Sequence, residues 1–175
     1  MTAARWASRQ KMPFRAVNRA DRPGYAPGMQ RHHLLPRQLV SKRCFDAIFD
    51  TIGRDRIGLD DFRCNGLLLP ARDGAAIRLG LPLHRGPHHA YNDMVIERVG
   101  KIEKRWSELR LKASEIAFDQ ALMRLCLLQR VLRRLLLTPD NNRLSLNRHD
   151  PLGRSRDFTE LDAMADMLWG NTQSV

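Results

Sequence analysis

Five of the six histidines in this 175-residue chain fall in two clusters, His32 and His33 in "QRHHLLPRQL", then His84, His88 and His89 in "LPLHRGPHHAYND". Imidazole binds borderline divalent ions and titrates near neutrality, so grouped histidines raise two chemistries, metal ligation and proton transfer. His84 and His88 stand four apart, which on a helical turn puts both rings on one side, although Pro87 between them is welcome only in a helix's first turn. A three-imidazole site then needs one more ligand, and the first cluster offers two. The histidine left over, unligated beside an ion, is suited to take a proton from water. The bland alternative is that each cluster is a solvated surface pair. His149 stands alone in a polar loop and reads as a surface residue, while Asn65, in "RCNGLLLP", has the character of a turn residue before glycine.

Elements must bring these residues together. The pattern "SKRCFDAIFDTI" (41–52) predicts a short helix with Ser41 as its N-cap and Cys44, Ala47, Ile48 and Ile52 on one face. Leu67 to Leu69, stopped by Pro70, read as a small buried strand or turn. From Asn92 apolar residues recur at three- and four-residue steps: Val95, Val99, Ile102 and Trp106, then Phe118, Leu122, Leu125, Leu128, Leu132 and Leu135. "TPDNNRLSLNRHDPLGRS" is loop by composition, and "FTELDAMADMLW" predicts a last amphipathic helix ended by Gly170. No repeat appears. Most regular structure is therefore helical, with one basic N-terminal arm over residues 1–28, a centre over 29–100 and a helical extension over 101–175.

Charge separates the same parts. Residues 1–43 hold ten Lys/Arg against one acid, Asp21, and so carry nine of the eleven net positive charges. A basic arm on a nearly neutral body suits a polyanion, because each neutralised phosphate releases counterions; nucleic acid is the first candidate and an anionic membrane surface the second. The most apolar segment, 121–137, carries four arginines and does not span a bilayer, and no apolar stretch follows the N-terminal arginines to make a secretory signal. Three cysteines, Cys44, Cys64 and Cys126, with no C-x-x-C pair, read as buried reduced thiols of a cytoplasmic-type compartment.

In order, "HHLLP" (32–36), "NGLLLP" (65–70) and "LPLHRGPHHAYND" (81–93) resemble the HNH nuclease superfamily with its ββα-metal site, and within it the AHH branch, common among bacterial toxin nucleases. The resemblance implies an α+β fold, mostly helical, in which a small ββα-metal core carries additional C-terminal helices. It implies that His32, His84 and His88 hold one divalent ion (Zn, Ni, Mn or Mg), that His33 is the general base, and that Asn65 orients the active-site loop. Hydrolysis would leave 5′-phosphate and 3′-hydroxyl ends, with low sequence specificity. Arg31 stands where this branch typically has alanine, and either points outward or contacts phosphate; Arg85 is the better phosphate clamp, since guanidinium offers paired donors. His89 and Tyr91 read equally as supports of the site or as packing.

DNA is favoured over RNA as the polyanion, and a homodimer or an immunity or neutralising protein are the protein partners this reading admits. If the chain is a toxin, its place of action is a target cell's cytoplasm. Two other classes compete: a non-catalytic nucleic-acid-binding protein with structural zinc, and a three-histidine zinc hydrolase acting on esters or amides.

Overall fold

The computed structural model describes residues 10–138, 144–147 and 149–152. Two strands, β1 (Met29–His33) and β2 (Gly66–Pro70), pair antiparallel with His32 opposite Leu67 and His33 opposite Gly66. Between them run two 3₁₀ turns and three short helices, α1 (Asp46–Ile52), α2 (Arg54–Ile57) and α3 (Phe62–Asn65). After β2 come α4 (Asp73–Leu79) and two long helices, α5 (His89–Leu109) and α6 (Ser114–Leu137), which pack on each other. The molecule is thus an α+β, mostly helical fold in which the described residues form one small two-stranded antiparallel sheet. No described helix is long and apolar enough to cross a membrane.

The periodic residues behave as their spacing requires. Val95, Val99, Ile102 and Trp106 of α5 are buried, as are Leu125, Leu128, Leu132 and Leu135 of α6, while Phe118 and Leu122 pack at the margin of the same cluster. That cluster runs from Leu34 to Leu146 and takes in Ala121, Leu125, Leu128, Leu132, Leu135 and Leu136 of the Leu-rich run 121–137, while Met123 and Leu137 are exposed. Residue 100 lies in the middle of α5, and nothing in the packing breaks there.

Three sequence expectations need correction. The helix expected from Ser41 begins at Asp46: residues 37–45 form tight 3₁₀ turns, and the Ser41 hydroxyl donates to the Gln38 carbonyl rather than capping. The face it buries is Phe45, Ile48, Phe49 and Ile52, because two aromatic rings bring more apolar area than Cys44 and Ala47, which are exposed. The cysteines are free, but Cys44 is exposed and Cys64 and Cys126 are half-buried.

Residues 10–28 of the basic arm contact the centre of the fold. Pro13 bridges to Asp61, Phe62 N–H donates to the Met12 carbonyl (2.8 Å), and the Asn18 amide donates to the Ala26 and Met29 carbonyls. Charge counting overlooked these contacts because most of them are made by backbone groups, Asn18 and the Phe14 ring. The helix expected over "FTELDAMADMLW" lies outside the described residues.

Candidate metal centre

The pleat of β1 separates the two adjacent histidines. Successive strand residues point to opposite faces, so Gln30 and His32 share one side while Arg31 and His33 share the other. The His32 ring meets His84 at 5.1 Å and His88 at 5.7 Å between centroids, and those two rings are 4.5 Å apart. One ring nitrogen from each lies within 4.8 Å of the others, so His32, His84 and His88 are placed to share a single ion. His33 is outside this group; its ring instead stacks on Phe14, centroids 3.8 Å apart and planes 4° from parallel.

The segment 81–88 delivers its histidines without a helix. Gly86 adopts φ 80°, Pro87 follows, and α5 starts only at His89, so the four-residue spacing converges through a loop turn rather than a helical one. The loop is pinned where it matters: His84 N–H donates to the Pro70 carbonyl (2.7 Å) and Leu83 N–H to the Asp150 carboxylate (3.0 Å).

Hydrogen bonding of the rings favours ligation. His84 Nδ1 lies 3.0 Å from the Gln30 amide oxygen and His88 Nδ1 lies 3.1 Å from the Leu146 carbonyl. Each acceptor calls for a proton on Nδ1 and leaves the Nε2 lone pair for an ion, the usual support of a metal-binding histidine. His32 is 3% exposed and its Nε2 is buried without a partner. Such an orphan costs about 1–3 kcal/mol, which an ion at this point would remove. Burial and the neighbouring imidazoles hold His32 well below the ordinary histidine pKa, and His84 is brought to about 4 mainly by burial. Neutral rings at neutral pH are what a cation requires.

His33 is held below its ordinary pKa as well, first by burial, then by the positive charge of Arg37, with Asp60 acting in the opposite direction. It is therefore a neutral imidazole near pH 7, able to accept a proton. Arg37, exposed just after Pro36, was not singled out by the sequence; its position four residues beyond His33 carried no distinguishing pattern.

Asn65 is buried and works as a clasp. Its Oδ1 accepts from Leu35 N–H (2.7 Å), its Nδ2 donates to the Leu35 (3.1 Å) and Leu59 (3.0 Å) carbonyls, and its own carbonyl accepts from Leu34 N–H (2.8 Å). The chain is fixed directly after His33. α6 braces the clasp from behind, Gln129 donating to the Ile57 carbonyl and reaching Asn65 Oδ1 at 3.4 Å, while Arg133 donates to the Arg63 carbonyl. Gly66, next to Asn65, admits no side chain, since a Cβ there would stand 2.1 Å from the Phe62 ring.

Tyr91 is fully buried, donates its hydroxyl to the Leu34 carbonyl (2.6 Å) and packs edgewise on His32 (4.9 Å), so α5 buttresses the His32 ring. His89 is exposed and apart from the metal group, and His149 is exposed. Arg31 is exposed and donates through Nη1 to the Phe14 carbonyl (2.8 Å); Arg85 is exposed, 3.8 Å from Asp73.

Comparison of the sequence with curated proteins and with solved structures gives no match. Residues 13–133, more than two thirds of the chain, match a nuclease family of the HNH/ENDO VII superfamily with conserved AHH. The match takes in His32, His33, Asn65, His84 and His88 together with most of α6. With three buried or half-buried imidazoles converging inside the matched region, the chain belongs to the AHH nucleases of the HNH/ENDO VII superfamily.

Proposed function

We propose that this protein is an endonuclease of low sequence specificity that hydrolyses nucleic-acid phosphodiesters, DNA in preference to RNA, with one divalent ion and a histidine base. The observation that carries the reading is the orphaned, buried Nε2 of His32 facing His84 and His88, in a chain whose net charge is +11. A divalent ion held by His32, His84 and His88 would supply Lewis-acid stabilisation of the leaving oxygen and of charge on the phosphate. Imidazoles suit Zn²⁺, Ni²⁺ or Mn²⁺ better than Mg²⁺.

His33 takes a proton from the attacking water, its neutral ring being ready to do so. Asn65 fixes the backbone at Leu34 and Leu35 and so limits how far His33 can wander. Arg37 is the phosphate contact nearest the base, with Arg85 on the metal loop as a second; both are exposed and present planar paired donors. Arg37→Ala should raise KM about three- to tenfold with metal content unchanged, since a hydrogen bond to a charged group is worth about 1.5–3 kcal/mol at most before solvent screening. An unchanged KM at low salt removes Arg37 from the substrate site. The site of action is cytoplasmic, either the producing cell's or, for a toxin, that of a target cell.

The test is cleavage of plasmid, single-stranded DNA and RNA with Mg²⁺, Mn²⁺, Ni²⁺ or Zn²⁺, alongside metal analysis of His84→Ala. That variant loses one of three ligands, and its affinity should fall by at least about a hundredfold, with cleavage lost in parallel. Wild-type protein that binds metal but nicks none of the substrates would favour the non-catalytic, structural-zinc alternative.

A further inference from the structure

A histidine's ring torsion is broad, so rotamer preference alone does not fix the plane of the His33 imidazole. What faces that plane is Phe14, parallel to it at 3.8 Å. Phe14 is itself held on several sides. Phe62 meets its ring edge-on (5.2 Å, 77°), Arg31 donates to its carbonyl (2.8 Å), and on the residues before it Pro13 bridges to Asp61 while Met12 accepts from Phe62 N–H and donates to the Asp61 carboxylate (3.2 Å).

Stacking of this kind uses the π face of the imidazole and leaves both ring nitrogens at the edge untouched. A hydrogen-bonding partner would instead engage one of those nitrogens. Arg31 and His33 share one face of β1, so a side chain at position 31 is the strand's natural means of reaching the segment that lies over His33.

We propose that Phe14 is a positioning residue for His33, and that Arg31, at the position this family's alanine occupies, is the latch that keeps Phe14 in place. The N-terminal segment thereby belongs to the catalytic centre, and is more than a basic arm for holding the polyanion. The proposal rests on the reading of His33 as the base. Misplacing a reacting group by an ångström costs up to about a hundredfold, so Phe14→Leu should lower kcat about ten- to a hundredfold with KM and metal affinity little changed. Phe14→Trp, which restores a flat ring, should recover most of the loss, and Arg31→Ala should lower kcat in the same direction by less.

A second readout does not need activity. In the metal-free protein the His33 ring protons, identified by their loss in His33→Ala, should resonate upfield of those of the exposed His149, and Phe14→Leu should abolish the displacement. A Phe14→Leu enzyme with kcat within about twofold of the wild type, or His33 signals undisplaced in the wild type, overturns the proposal. Should the wild type cleave nothing, a displacement present in it and lost in Phe14→Leu still supports the stack, and the nuclease reading falls alone.

Discussion

His33→Ala should abolish cleavage while leaving the metal in place. General-base catalysis contributes about 10²- to 10⁴-fold, and a loss of that size in kcat is expected with metal affinity and unfolding temperature close to those of the wild type. The geometry behind this is the alternation of β1: His32 points into the group with His84 and His88, and His33 points to Phe14 on the other face. Removing the His33 ring deletes a half-buried side chain and one aromatic stack, worth about 0.5–1.5 kcal/mol, so the fold should survive. Titrating metal into both proteins and following plasmid nicking decides it. Equal metal loss in His33→Ala and His84→Ala would undo the separation of ligand from base.

Asn65→Ala should be the most destabilising single change near the site. The side chain is buried, and its removal strands the Leu35 N–H together with the Leu35 and Leu59 carbonyls, each of which it pairs in the native fold. One buried unsatisfied group costs about 1–3 kcal/mol, so a total loss of about 3 kcal/mol is a moderate expectation, equivalent to a Tm lower by roughly 6–12 °C for a domain of this size. Urea unfolding measures it. Activity should fall as well, since the clasp closes on the two residues that follow His33, but metal-saturated protein should retain more activity than His33→Ala. A change in unfolding free energy below about 0.5 kcal/mol, the range of ordinary surface substitutions, would show that Asn65 is a turn residue and no more.

The contrast between these two variants marks out how the site is divided. The proposed base and ligands lie at the end of β1 and in the loop before α5, whereas Gln129 and Arg133 of α6 hydrogen-bond the Ile57 carbonyl, the Asn65 side chain and the Arg63 and Cys64 carbonyls. The helix α6 is thereby hydrogen-bonded to Asn65 and its neighbours.

Much of this was legible in the residues themselves. Histidine grouping pointed to His84, His88 and one of His32 and His33 as a candidate metal set, and only the resemblance to the AHH branch chose His32 as the ligand and His33 as the base. The three- and four-residue steps of α5 and α6 predicted their buried faces, since helical periodicity is a local property that burial merely confirms. Residues 41–45 misled for the same reason: their pattern is compatible with a helix, and only packing of Phe45 and Phe49 into the core decided otherwise.

What the tertiary structure alone decided is which neighbour each histidine meets. The sequence determined that two histidines stand together and that three more follow near a glycine and a proline; it contained nothing to say that Gln30 would meet His84, that Leu146 would meet His88, or that Phe14 would lie on His33. Those pairs are separated by 54, 58 and 19 positions, and the first two were joined only when the β1–β2 pairing and the closing of the chain after α6 brought them together. Periodicity reports which side of an element faces inward. It carries no information about what waits there, and here those partners set two adjacent, chemically identical side chains in different surroundings, His32 beside His84 and His88, His33 against Phe14.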